Sequence, residues 1–379
     1  MPRHWTINGR FLAQPMSGVQ RYAREILREF DLLLSERIDI ARNLEVELVL
    51  PPDAGDAPAL TAIGTRKAGR LRGHAWEQAT LPRHVRGGLV SLCNTGPLAV
   101  GRQILCIHDL NTRTFPESYS RSFRWAYGVL LPALGRTVAT VATVSNYSAG
   151  QISSFGIFPE DKILVAPNGH EHAAGWKPAH SAATLGAASR DTIVVLGSSI
   201  PHKNVALILS MADRLSTAGL RLAVVGDLDS RVFNSAGIAA QAGNVIRLGR
   251  LTDSELAALL RDSLCLAFPS FVEGFGLPPL EAMALGCPVV VSDRASLPEI
   301  CGNAALYAAP DDPDAWFERL VRLRHDPRLR IQMIAGGRAR LALFRWRSSA
   351  ERYLEVMARA DGLSMSAAAA NKAADYAVA

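Results

Sequence analysis

The sequence predicts an α/β protein built from two parallel, helix-covered sheets, and three observations lead there. Short apolar runs alternate with amphipathic stretches twice along the chain. Candidate ligand-binding residues fall just after the apolar runs, where parallel sheets bind their ligands. At 379 residues the chain is long for one core and comfortable for two.

In the first half, buried strands are expected over 45–50, 89–92, 104–107, 137–144 and 163–166, with helices over 19–34, 121–134 and 146–155. The second half gives strands over 192–196, 220–225, 244–248, 264–268 and 289–291. Its helices are expected over 205–217, 253–262, 279–285 and 313–324. Between the halves, residues 170–190 are rich in Ala, Gly and Ser and lack apolar periodicity, as a linker would. Residues 364–379 are mostly alanine and small polar residues, a composition that suits a frayed tail.

Composition narrows the classes of function. With 49% apolar and 20% charged residues, the chain has ample core for a globular protein. No apolar run reaches the roughly 18 residues of a membrane span, because Arg136 interrupts the longest candidate, around 128–144. The start, Met1-Pro-Arg-His-Trp5, lacks an apolar signal core, so a cytoplasmic protein is expected. Cys93, Cys106, Cys265, Cys287 and Cys301 show no CxxC spacing and read as reduced core residues. The net charge of +6 is uneven: residues 60–136 hold eleven Lys/Arg against Glu77, Asp109 and Glu117. That surplus suits anionic lipid headgroups or a lipid-diphosphate acceptor, and equally a solvated surface. Nucleic acid is not expected, since no binding motif appears and the arginines are not read as interleaved with aromatics.

The most telling stretch is Phe268-Pro-Ser-Phe-Val-Glu273-Gly274-Phe275-Gly276-Leu277-Pro-Pro-Leu-Glu281. Pro278 and Pro279 suit the opening of a helix, which Gly286 closes. Gly274 and Gly276 allow main-chain amides to approach a ligand closely. Glu273 in the loop and Glu281 in the first helical turn can then face one crevice. Such a site suits a phosphorylated sugar, with amides and helix dipole for phosphate and carboxylates for hydroxyls.

Other candidates repeat the strand-to-helix placement. Gly18, in Gln14-Pro-Met-Ser-Gly18, lets backbone approach phosphate or simply opens a helix. His108-Asp109 follows a strand; the imidazole either meets a sugar or is held by a backbone carbonyl. Lys203 follows Gly197-Ser198 in another such turn, where an ammonium beside a helix start makes sense if an anion lies between them. Asp227-Leu-Asp229 reads as a cation site or a loop turn, and Asp312-Pro-Asp314 as a helix cap. His170-x-His172 has too few partners in sequence for a metal site. Gly169, after Asn168, suits a positive-φ turn. Ser296, Pro298 and Glu299 either line a nucleotide pocket or cap a helix.

Taken together, the block from Pro269 through Glu273 and Glu281 to Gly286 and Pro288 resembles the signature of family-4 retaining glycosyltransferases with the GT-B fold. Leu297-Pro-Glu299, His108-Asp109, Pro167-Asn168-Gly169 and Pro201-x-Lys203-Asn204 extend the resemblance in the family's order. It implies two Rossmann-like domains whose parallel sheets face an inter-domain cleft holding a nucleotide-sugar. It places Glu281 on the ribose diol, Glu273 near the transferred hexose, and Gly276 and Leu277 amides near sugar and phosphate. Lys203 would meet the diphosphate, Gly18 would lie beneath it, and His108 would lie near the reacting sugar. Gly197, Ser198, Gly274 and Phe275 complete the expected donor site. Many members carry Arg where this chain has Ser198, so the diphosphate loses one charge partner unless Arg250, Arg294 or His202 supplies it.

The expected division is an acceptor domain over 1–172, a linker over 173–190, a donor domain over 191–343, a helix crossing back over 344–362, and a disordered tail over 363–379. The resemblance implies metal-independent transfer of a hexose, foremost mannose from GDP-mannose. The acceptor would be a lipid-linked or other saccharide in surface-polysaccharide assembly, with peripheral membrane contact. A UDP-glucose or other donor, an epimerase and a non-catalytic sugar-nucleotide binder stay open as alternatives.

Overall fold

The computed structural model describes residues 2–228 and 243–363. Seven strands form the first sheet, in the spatial order β3 (Gly64–Lys67), β2 (Leu44–Leu50), β1 (Arg3–Asn8), β4 (Gly88–Ser91), β5 (Gln103–Cys106), β6 (Thr140–Thr143) and β7 (Ile163–Val165). Six form the second: β10 (Val245–Gly249), β9 (Arg221–Val225), β8 (Thr192–Leu196), β11 (Cys265–Phe268), β12 (Val289–Ser292) and β13 (Leu306–Ala308). Every paired strand runs parallel to its neighbour. Sequences such as Thr-Ile-Val-Val-Leu in β8 and Val-Val-Val-Ser in β12 are apolar on successive residues because helices cover both sheet faces. In each sheet the chain reverses its winding beside the first central strand, at β1/β4 and at β8/β11. Crevices at those switch points are where such sheets take ligands.

Several boundaries differ from expectation. The helix Arg121–Thr137 runs past 134, its last turn steadied by the Thr137 hydroxyl on the Ala133 and Leu134 carbonyls, so β6 starts only at Thr140. The helix expected over 205–217 is split into Val205–Ser210 and Ala212–Thr217 by a tighter turn at Met211, whose amide reaches back only to Ile208. The linker carries short helices, Glu171–Ala174 and Ala182–Ala187. Gly169 does not adopt positive φ. Its lack of a side chain is required for another reason: a Cβ would stand 2.2 Å from the Trp346 amide nitrogen.

The helix Trp346–Ala360 returns to the first half and packs along the helix Gly18–Ser35. The Tyr22 and Tyr353 hydroxyls lie 3.0 Å apart, and Tyr353 meets Phe30 edge-on at 6.0 Å. Just beyond that helix, Asp361 accepts from the Arg3 guanidinium at 2.5 Å and the Trp5 indole at 3.1 Å.

Among the described residues no helix is long and apolar enough to cross a membrane. The helix Arg121–Thr137 nevertheless presents Phe123, Trp125 and Val129 outward, with Trp125 75% exposed. Residues 121–127 do interleave arginine with aromatics, contrary to expectation, because an unpacked helix face can carry both.

Candidate active site

Residues 269–276 cross from the end of β11 to the helix Leu277–Ala284. Gly276 caps that helix at φ 98°, and a Cβ there would lie 2.6 Å from a Leu297 methyl. Pro278 and Pro279 occupy the first turn, where their missing N–H groups cost little. The helix therefore starts two residues earlier than expected, which moves Glu281 into its second turn.

Gly274 answers a different demand. A Cβ on it would stand 2.5 Å from the His108 carbonyl oxygen and 2.9 Å from the Asp109 Cβ. The loop thus touches the carboxyl end of β5 in the other half. Ser145 donates to the Gly274 carbonyl at 2.6 Å, while the Ser148 hydroxyl sits between the Gly274 and His108 carbonyls at 3.1 and 2.9 Å. From behind, the Ser296 hydroxyl lies 3.0 and 2.8 Å from the Glu273 and Phe275 carbonyls. Ser296 thus braces the loop and makes no side-chain helix cap. Phe275 turns inward and meets Phe344 edge-on at 5.6 Å.

Lys203 ends the turn Pro201–Lys203, and the left-handed Asn204 (φ 52°) fixes that turn by donating to the Pro310 carbonyl at 2.7 Å. The Lys203 ammonium donates to both Glu273 carboxylate oxygens, at 2.7 and 2.9 Å. The lysine side chain is 27% exposed and the glutamate 10%, so a ligand entering the cleft can reach the pair. Asp109 is partly buried beside them. Burial raises its carboxyl, Glu273 pushes the same way, and the Asn111 amide and Lys203 only partly offset this.

His108 is held as the structural alternative foresaw: its Nε2 lies 2.9 Å from the Leu92 carbonyl oxygen, and Tyr22 meets its ring edge-on at 4.8 Å. The His108 main chain is also engaged, its N–H by Asn94 at 2.8 Å and its carbonyl by Ser148, so a polar contact with a ligand falls to Nδ1. Of the three residues considered as substitutes beside Ser198, only His202 is excluded as a cation, while the two arginines sit in exposed ion pairs that an anion can open. Burial and the Lys203 charge push His202 down to about 4, so it is neutral near pH 7. Arg250 pairs with Asp227 at 2.6 Å and Arg294 with Asp293 at 3.2 Å. The Ser198 hydroxyl accepts from the Ile200 amide at 3.2 Å. Gly197 lies where a Cβ would come within 3.0 Å of the Val225 carbonyl oxygen. Gly18 opens its helix exposed, with open space where its Cβ would be.

Glu281 is buried and anchored by residues that motif reading left out. His172 donates from Nε2 to Glu281 Oε1 at 2.9 Å and accepts the Trp346 indole N–H on Nδ1 at 3.0 Å. Glu299, named beside Ser296 and Pro298 as lining a nucleotide pocket or belonging to a helix cap, makes a contact that neither reading contained. Its carboxylate accepts from the Asn146 and Tyr147 amides at 2.8 and 3.0 Å, so it reaches the N-terminus of the helix Asn146–Ser154 in the other half. Asp312 caps the helix Pro313–His325 through the Ala315 amide, and Asp314 pairs with Arg214. The triplet at Asp227 extends to Asp229, which lies outside the described residues. Among the described residues no three His, Cys, Asp or Glu side chains gather as a metal site.

Comparison with known proteins bears on the family and the fold. Residues 178–340 match the family described as Glycosyl transferases group 1. The chain is 25% identical over 367 residues to O-antigen chain mannosyltransferase B of Escherichia coli, spanning 88% of this chain and 93% of that one. It is 31% identical over 250 residues to an MMP alpha-(1->4)-mannosyltransferase of Mycolicibacterium hassiacum, covering 62% and 58% of the two chains. Sucrose-phosphate synthase of Thermosynechococcus elongatus superposes with a TM-score of 0.70 at 17% identity, over 96% of this chain and all of that one, which establishes the shared GT-B architecture. Residues 178–340, with β8 to β13 and the loop between β11 and its helix, are thus a group 1 glycosyltransferase region, of the retaining family 4, within a two-domain GT-B fold.

Proposed function

We propose that the enzyme transfers a hexose, foremost mannose from GDP-mannose, to a lipid-linked or other saccharide acceptor in surface-polysaccharide assembly. The observation that carries this reading is the meeting of Glu273, Lys203 and Gly274 with His108-Asp109 at the facing ends of the two sheets. Mannose as the sugar rests on the names of the two mannosyltransferase relatives.

In this reading Glu281 takes the ribose diol, and the Gly276 and Leu277 amides lie near sugar and phosphate. Gly18, Gly197 and Ser198 border the diphosphate, which draws the Lys203 ammonium away from Glu273. That exchange frees the Glu273 carboxylate for a hydroxyl of the hexose. The bond from the anomeric carbon to the phosphate oxygen breaks on the same face that the acceptor oxygen attacks. The acceptor proton passes to the departing phosphate. Lys203 and main-chain amides stabilise the charge there, so no metal is assigned a role. Phe275 supports the loop from below through Phe344. The acceptor would enter from residues 1–172, the donor from 191–343, with 173–190 linking them and 344–362 crossing back.

Peripheral docking at the inner face of the cytoplasmic membrane belongs to the same reading. Helix Arg121–Thr137 carries Arg121, Arg124 and Arg136 and no acid, and its exposed Trp125 suits a headgroup layer. Vesicles containing an anionic lipid should co-sediment the protein, salt should weaken binding, and Trp125→Ser with Arg121→Gln and Arg124→Gln should abolish it. Salt-independent binding, or none, refutes the docking.

A panel of labelled nucleotide-sugars, read by hydrolysis without acceptor, tests the donor. GDP-mannose should be turned over fastest. A faster UDP-sugar replaces the donor assignment, and an isomerised product with no transfer points to epimerase chemistry. Tight donor binding with no turnover, whatever lipid-linked acceptor is added, makes the chain a binder.

A further inference from the structure

We infer that His172 is a positioning residue that aims Glu281 at the donor ribose, an inference that rests on the ribose role proposed for Glu281. The imidazole bridges two groups of fixed polarity. An indole N–H only donates, so the His172 Nδ1 that receives the Trp346 N–H at 3.0 Å carries no proton. The hydrogen-bond network therefore assigns the neutral tautomer with its proton on Nε2, which donates to Glu281 Oε1 at 2.9 Å. A doubly protonated imidazole would set two donors against each other at Trp346.

The relay is closely held. The His172 and Glu281 side chains are 3% and 9% exposed. His172 also packs against the Trp176 and Trp346 rings, each with its centroid 5.6 Å away. Arg21, from the helix Gly18–Ser35, lies over Trp176 and brings its Nε to 3.9 Å from the same Oε1. Both contacts fall on Oε1, which among the described residues leaves Oε2 for a ligand hydroxyl. A carboxylate that accepts a diol must hold its plane, and a buried partner on one oxygen supplies that constraint.

The position of His172 in the chain adds a consequence. It belongs to the segment joining the two halves, and Trp346 opens the helix that crosses back. The same joint is tied further: the Glu171 carboxylate accepts from the Trp346 and His170 amides at 3.2 and 3.0 Å, and His170 Nδ1 lies 2.8 Å from the Phe344 carbonyl oxygen. The aim of Glu281 is thus set at the two chain crossings between the halves, and both lie outside the loop that bears the family motif.

The test compares ribose with 2′-deoxyribose. Calorimetry would measure GDP against 2′-deoxy-GDP and UDP against 2′-deoxy-UDP for the wild-type chain and for Glu281→Ala, His172→Ala, His172→Gln and Trp346→Phe. The wild type should prefer the ribonucleotide of its own base, and Glu281→Ala should abolish that preference. His172→Ala should cut it about tenfold, the scale of one lost hydrogen bond to a charged group. His172→Gln, which can still donate to Oε1, should recover part of it, and Trp346→Phe should fall between. Adding His172→Ala to Glu281→Ala should change nothing further. A general packing defect would weaken both members of a nucleotide pair equally and leave their ratio intact. If the wild type or Glu281→Ala fails these expectations, the ribose role of Glu281 falls. If both behave as expected while the His172 variants keep the wild-type ratio with folded spectra, the positioning role alone is overturned.

Discussion

Two carboxylate–cation pairs sit at the carboxyl ends of the two sheets, and they are built for opposite purposes. In the first half Glu77 is fully buried and accepts from Asn8, Arg10, Thr95 and His74 at 2.7 to 3.2 Å. Arg10 in turn donates to the Thr95 hydroxyl at 2.7 Å. In the second half Glu273 pairs with Lys203 at the border of the cleft, within reach of an incoming ligand. A pair locked by neighbours on every side shapes the sheet edge. A pair with one strong partner and an open side can be divided by a diphosphate. The density of second partners therefore separates the structural ion pair from the one proposed to act on a ligand.

Breaking the buried pair should give the larger effect. Glu77→Ala strands the Arg10 guanidinium in the interior and should cost about 3–5 kcal/mol of stability, read by chemical denaturation. The sign of its pH dependence follows from its carboxyl. Burial pushes that group up, but His74, Arg10, Asn8 and Thr95 outweigh burial and hold it below its ordinary 4.5. A carboxylate lowered on folding stabilises the protein above its unfolded value, and that stability is lost as pH falls through the folded value. The wild-type melting temperature should therefore drop on acidification below about 4.5 more steeply than that of Glu77→Gln. Parallel curves for the two proteins would place the lowered carboxyl elsewhere.

The cleft pair should behave in the reverse manner. Lys203→Ala and Glu273→Ala should each lower turnover at least ~100-fold while costing less stability than Glu77→Ala. Loss of stability without loss of turnover in either variant would make this pair structural as well, and the contrast would disappear. A charge swap of the two residues should not restore turnover, since the proposed diphosphate and hexose contacts ask for opposite charges at fixed positions.

How far the sequence foretold these regions differs between them. β8, β11 and β12 read clearly because they are buried on both faces, and the β11 loop carries a dense run of glycine, proline and carboxylate. β3, with Gly-Thr-Arg-Lys, lies at the sheet edge and has no apolar pattern to detect. His172 could not be found from spacing, since its partners Glu281 and Trp346 are more than a hundred residues away. Glu299 had a signal in Leu297-Pro-Glu299, but that motif gives no hint that the carboxylate reaches across the cleft. His108 stood out as an imidazole at a strand end; its tie to the Leu92 carbonyl depends on the β4–β5 neighbourhood, which periodicity does not specify.

Glu299 offers the finest cut between a locked pair and the pair proposed to work on a ligand, because its carboxylate meets no cation among the described residues. It grips the amides of Asn146 and Tyr147 at the start of a nine-residue helix, where helix dipole and free N–H groups favour an anion. Ser145 and Ser148 of the same segment hold the Gly274 carbonyl, so this latch and the Glu273 loop share one contact between the halves. Glu299→Gln keeps the shape and removes the charge; it should lower kcat by a few-fold, in line with roughly 0.5–1 kcal/mol for one charge at a helix start. The acceptor KM should rise with it, since the helix belongs to the half assigned to the acceptor, while affinity for the donor nucleotide stays near wild type. If donor affinity falls and acceptor KM does not, the latch serves the nucleotide side, and Glu299 joins Glu273 and Glu281 as a third carboxylate of the proposed donor site.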